Sequence, residues 1–305
     1  MFRPRRLACQ AGRYALVDGL PFELPVNSEQ TPALMAAFRI NLDRAREVMP
    51  GNELHPLNFF GKGLFLVTVV DYRVTDIGKY IEYSLAIACT HGARPAPPIL
   101  PFIFQKGFGV GQYVMDLPVS TEISVKGGKG IWGMPKHRAS LDFLANDSTV
   151  SSQYNLDDQL VTRIDIARPR GNGIPLDLGA ANYCVFRGML MKSYIYFKGR
   201  VHFALFNDAA ATFTLGDHPK AEPFKRLEIE PNPIFTAYFP ETAGVLDDHF
   251  ESWFISHPAK PNTNGEGMES VISLGLNEVW LPPPRPVPPG GAPPPPQRTS
   301  SPRST

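Results

Sequence analysis

Short stretches in which apolar and polar residues alternate, broken repeatedly at Gly and Pro, run through most of this chain. A period of two predicts many strands with few long helices. The clearest pair is 64–74 and 79–90, with Thr75-Asp76-Ile77-Gly78 as the turn between them. In the second of these, alternation puts Tyr80, Glu82, Ser84, Ala86 and Ala88 on one face and Ile81, Tyr83, Leu85, Ile87 and Cys89 on the other. A carboxylate among small side chains, backed by a bulky apolar face, predicts a cavity wall rather than a solvated surface. Further strands are predicted at 149–154, 162–167, 183–196, 201–206, 210–215 and 234–238. Asp116-Leu117-Pro118 has the form of a helix start and Gly127-Gly128 that of its stop. A strand then begins at Pro135-Lys136, where Lys136, Arg138, Ser140 and Asp142 alternate with His137, Ala139, Leu141 and Phe143. The sum is an α+β fold: a closed or nearly closed, mainly antiparallel sheet with a few helices packed outside.

Charge narrows the partners. With 30 basic and 29 acidic residues interspersed along the chain, there is no electrostatic case for nucleic acid or an acidic membrane, which leaves a small metabolite. No run reaches the roughly 18 apolar residues of a membrane span. The basic opening Met1 to Arg6 lacks the apolar core of a secretory signal, so the sequence reads as cytoplasmic. Cys9, Cys89 and Cys184 are odd in number and contain no Cys-x-x-Cys pair; the last two lie in apolar runs and are expected to be buried thiols. Histidine spacing gives no metal motif. The glycine-rich segments 107–111 and 127–130 fit neither a dinucleotide fingerprint nor a phosphate loop, and no cofactor is expected. Beyond His257 the character changes. Residues 258–280 read as a linker and short extension, and the Pro-, Gly-, Arg- and Ser-rich stretch 281–305 as a disordered tail. Pro293 to Arg298 there matches a Pro-x-x-Pro-x-Arg pattern suited to aromatic, SH3-type grooves.

The candidate chemistry centres on Lys136, in Gly128-Lys129-Gly130-Ile131-Trp132-Gly133-Met134-Pro135-Lys136-His137. A lysine amine is nucleophilic only when neutral, and at an ordinary pKa of about 10.4 few are neutral at pH 7. Apolar Ile131, Trp132 and Met134 supply a setting in which burial disfavours the ammonium. The amine could then attack a carbonyl and form a Schiff base. This segment resembles the acetoacetate decarboxylase family, in which glycine, an apolar or aromatic residue, proline and the Schiff-base lysine follow one another. Lys136 falls on that lysine and His137 on a neighbour that is often a second lysine. Thr75 to Glu82 resembles the family segment ending in a glycine, a tyrosine and an active-site glutamate, which makes Glu82 the matching carboxylate. Phe38 to Asn41 with Met49-Pro50, Leu215 to Pro219, and Phe239-Pro240 with a closing helix around Phe250 extend the likeness over most of residues 15–255.

The resemblance implies a cone-shaped, barrel-like sheet enclosing a pocket over residues 1–257, and a homo-oligomer. It also implies a cofactor-independent lyase that decarboxylates a small β-keto acid through Lys136 and Glu82, with His137, Tyr80, Trp132 and Met134 at the substrate pocket. Three departures stand out. Where the family's decarboxylases carry an arginine upstream of Arg39 and a glutamate upstream of Glu82, this chain reads Glu29-Gln30-Thr31 and Leu66-Val67-Thr68; where Gly-Arg-Glu often precedes the lysine, it reads Gly128-Lys129-Gly130. Substrate recognition should therefore differ from that of acetoacetate. An aldolase or dehydratase acting on a pyruvate-like acid, and a non-catalytic binding protein on the same fold, remain as alternatives.

Overall fold

The computed structural model describes Pro4, Arg5, Leu7 and residues 12–256. The expectations for 258–280 and for the proline-rich tail lie outside the described residues, as does Cys9.

The alternating runs form one large sheet. Its path runs Lys136–Arg138, Gly111–Val119, Tyr80–His91, Lys62–Tyr72, Ala33–Asn41, Pro233–Phe239, Met189–Leu205, Thr242–Phe254, Val26–Glu29 and Val74–Thr75. Along this path every pair is antiparallel except the first, where Lys136–Arg138 lies parallel to Gly111–Val119. Leu54–Pro56 joins Tyr80–His91, and Ile174–Phe186 joins Met189–Leu205, both off the path.

The barrel expected from the sequence is not what forms. The path ends in two short strands, Lys136–Arg138 and Val74–Thr75, which do not pair with each other, so the sheet is open. Contact between Ile174–Phe186 and Gly111–Val119 is confined to two residue pairs, Asn182 with Gln112 and Tyr183 with Tyr113. Pro118 opposite His137 contributes to the short edge, because proline has no N–H to donate to a ladder.

Period-two patterning decides which face does what. Tyr83, Leu85 and Ile87 point outward into a core shared with Phe38, Phe65 and Val67 of the neighbouring strands. That core is closed by a second, five-stranded sheet, whose Thr149–Leu156 and Gln159–Ala167 strands contribute Val150, Tyr154, Ile164 and Ile166. Each large apolar side chain fully buried there is worth about 1.5–3 kcal/mol. The other face of the large sheet curls around a chamber.

Three local expectations are corrected. Asp116 to Pro118 belongs to the strand Gly111–Val119, and the helix runs from Glu122 to Trp132. Gly127 and Gly128 lie inside that helix, at positions where neighbouring side chains fill the space a Cβ would occupy. A Cβ on Gly127 would meet Phe22 at 2.8 Å, one on Gly130 would meet Val17 at 2.5 Å, and one on Gly128 would meet Lys136. The helix stops instead at Gly133, in the left-handed conformation with φ 67°. The stretch 183–196 is split into two strands by Arg187-Gly188, both at positive φ. The closing segment around Phe250 is the strand Thr242–Phe254, not a helix.

Candidate active site

Lys136 begins the strand that follows the Glu122–Trp132 helix. The left-handed turn at Gly133, then Pro135, reverses the chain so that the lysine lies back across the helix it has just left. Ser124 and Gly128, four residues apart, share one helix face. Gly128 leaves room for the aliphatic stem, and the Lys136 Nζ donates to Ser124 Oγ at 3.0 Å. The amine lies 2.7 Å from Glu82 Oε2, and the side chains are only 5% and 16% exposed. It also stands 5.4 Å from the centre of the Tyr80 ring.

Both partners are placed by one strand. Gly111–Val119 pairs Leu117 with Lys136 on one side and Val119 with Glu82 on the other. Tyr72 stacks on Tyr80 at a ring-centre distance of 4.5 Å. Burial, then the charge of Glu82, pushes both phenols well above their ordinary range, so they remain protonated donors.

These groups open onto a chamber of about 940 Å³. Tyr80, Glu82, Trp132, Met134 and Lys136 all line it. The Trp132 indole is fixed from behind, its Nε1 donating to the Asp247 carbonyl at 2.9 Å. Among the described residues, charge in the lining is confined to Lys136, Glu82 and Lys106, and Lys106 is exposed. Thr31, Leu66 and Thr68, in the neighbourhoods where the family's decarboxylases carry charge, are part of the wall.

His137 is turned to the opposite side. Its Nε2 lies 2.8 Å from Asp116 Oδ1, which also accepts from Lys220 Nζ at 3.1 Å, while the Tyr154 hydroxyl donates to Asp116 Oδ2 at 3.1 Å. Burial alone would raise the Asp116 carboxyl, but the His137 hydrogen bond and the Lys220 charge overcome it and hold it below the ordinary range. Burial, then Asp116, pushes the Tyr154 phenol up. This cluster therefore braces the strand carrying Lys136 from behind, and His137 does not join the chamber lining. The roles of Ser124 and Gly128 escaped sequence reasoning; the signal for both is their four-residue spacing in the segment read as a helix from Asp116 to a stop at Gly127-Gly128. Among the described residues no group of three or more His, Cys, Asp or Glu is arranged to hold a metal, and no helix is long and apolar enough to cross a membrane.

The family profile described as acetoacetate decarboxylase (ADC) matches residues 14–170. The chain belongs to that family. Membership places the Lys136 segment within the matched region. Solved structures of the acetoacetate decarboxylase type share the fold. The acetoacetate decarboxylase of Legionella pneumophila superposes with a TM-score of 0.53 at 14% identity, over 81% of this chain and 90% of that one. A second acetoacetate decarboxylase structure gives 0.53 at 16% identity, over 75% and 89%. The enduracididine biosynthesis enzyme MppR, complexed with the condensation product of pyruvate and imidazole 4-carboxaldehyde, gives 0.54 at 14%, over 75% and 88%. At these identities the likeness is one of fold. A search of curated proteins with the sequence gives no match.

Proposed function

We propose that the protein is a cofactor-independent decarboxylase of β-keto acids, with Lys136 as the imine-forming nucleophile and Glu82 as its proton partner. The observation that carries this reading is the 2.7 Å separation of Lys136 Nζ and Glu82 Oε2, both largely buried, at the wall of the chamber. A proton shared across that distance can rest on nitrogen, giving ammonium and carboxylate, or on oxygen, giving amine and carboxylic acid. In the second arrangement the nitrogen lone pair is free to attack the substrate ketone.

The sequence of bonds follows. Nζ adds to the carbonyl carbon, the oxygen leaves as water, and a protonated C=N forms. The bond to the carboxylate carbon then breaks, carbon dioxide departs, and the electron pair moves into the imine to give an enamine. A proton returns to the carbon that lost the carboxylate, and water hydrolyses the imine to free the ketone and Lys136. In this reading Glu82 takes the first proton and returns one later. Tyr80, protonated and beside it, supports the hydrogen-bonding around the nitrogen.

Decarboxylation is favoured over aldol chemistry by the distribution of charge. A pyruvate-like substrate keeps its carboxylate throughout and needs a cation to hold it, whereas the buried cation of this lining is the reacting amine itself. A β-keto acid instead loses its charge as carbon dioxide, a change that apolar walls assist. Borohydride trapping during incubation with a β-keto acid, followed by mass mapping, should place the adduct on Lys136. Lys136→Arg should abolish both adduct and carbon dioxide release while the fold survives; full activity in that variant overturns the assignment.

A further inference from the structure

Resting on the imine-forming role of Lys136, we infer that the substrate carries a bulky apolar chain on the ketone side and that a short acid such as acetoacetate is a poor fit. Ligand pockets generally span about 300–1,000 Å³, and this chamber, at about 940 Å³, is close to the upper end. A short-chain acid bonded to Lys136 would leave most of that space unfilled.

The wall of the unfilled space mixes apolar side chains with uncharged polar ones such as Ser84, Thr68 and Asn182. Ser84, two residues along from Glu82, pairs across the sheet with Thr68, and Thr68 with Met35. All three line the chamber, so this row leads from the reactive pair out across the wall. Phe197 and Phe239, edge to face at 6.0 Å, lie further along the same lining. At the exposed end stand Phe102, Ile103 and Phe104, themselves 43%, 66% and 59% exposed. Among the described residues, the only charge in this lining apart from the Lys136–Glu82 pair is exposed Lys106. A charged tail would therefore lose its hydration without a buried counter-charge. An alkyl or aryl tail loses nothing of that kind, and each buried methylene strengthens binding about fourfold.

The test is a series of straight-chain β-keto acids of increasing length, beginning with acetoacetate, together with benzoylacetate. Borohydride capture on Lys136 is quantified by mass as a function of concentration. In parallel, the matching methyl ketones are titrated by calorimetry into Lys136→Met, which cannot form an imine. The expected result is half-capture at concentrations that fall about fourfold per added methylene over several steps, with the same slope in the calorimetry. Thr68→Trp, which fills the middle of the wall, should flatten both slopes. Equal capture of acetoacetate and its longer homologues, with flat calorimetry, overturns the inference and leaves the imine intact. No adduct from any acid, with a steep slope in Lys136→Met, overturns the imine and supports the apolar tail.

Discussion

Gly128 lies directly beneath Lys136: a Cβ at position 128 would come within 2.3 Å of the lysine Cδ and 2.6 Å of its Cε. The glycine is thus a condition for the geometry of the amine. Gly128→Ala should displace Nζ from Glu82 and Ser124, and a misplacement on the scale of an ångström costs about 10²-fold in rate. Alanine is the better helix former by up to about 1 kcal/mol, which offsets part of the crowding. Imine trapping should therefore fall by about 10²-fold while the thermal midpoint moves little. A variant that unfolds, or one that traps at the normal rate, contradicts this picture.

Glu82→Gln preserves the shape of the side chain but removes its ability to exchange a proton with Nζ. General acid–base groups contribute about 10²–10⁴-fold, and kcat should drop within that range. Single-turnover carbon dioxide release is the measurement. Because glutamine can still accept a hydrogen bond from Nζ at the position now 2.7 Å away, the variant should keep its fold.

Asp116 sets an acid limit on stability. Its folded carboxyl is held below the ordinary range, so the stabilisation is present above the unfolded value of about 3.9 and is lost as pH falls through the lower, folded one. Asp116→Asn should lower the urea midpoint at pH 7. The gap between the two proteins should then narrow in melts carried out below about pH 4, and a gap that widens on acidification would count against the role given to this carboxylate.

Cys184 should be inert in the folded protein. It is buried, its thiol is pushed up to about 12 by burial, and Sγ donates to the Gly133 carbonyl at 3.2 Å. Cys89 is likewise buried and pushed up. Thiolates are the reactive form, so alkylation at pH 8 should leave both unmodified until denaturant is added, as read by peptide mass.

Much of this could be read from the residues alone, because period-two patterning is a local signal. The two faces of Tyr80–His91 followed directly from alternation, with Glu82 inward and Tyr83, Leu85 and Ile87 in the core. Lys136 was legible through its motif. What failed depends on contacts distant in sequence. Gly127 and Gly128 read as a helix stop, yet they and Gly130 lie within the helix, where Phe22, Lys136 and Val17 occupy the space a Cβ would need. Asp116 before a proline read as a helix cap, but its carboxylate is used by His137, Tyr154 and Lys220, which lie 21, 38 and 104 residues away. Closure of the sheet was inferred from strand number, whereas strand length at the edges decides it, and neither the three residues of Lys136–Arg138 nor the two of Val74–Thr75 find each other.

Because Gly111–Val119 holds both ladders, the distance between amine and carboxylate is a property of alignment along one backbone. Adjacent strand residues face opposite ways. Deleting a single residue between Gly133 and Lys136 would deliver an imidazole to the cavity and bury the primary amine against Asp116. Length in that short connection is therefore under tighter constraint than the identity of the residues composing it.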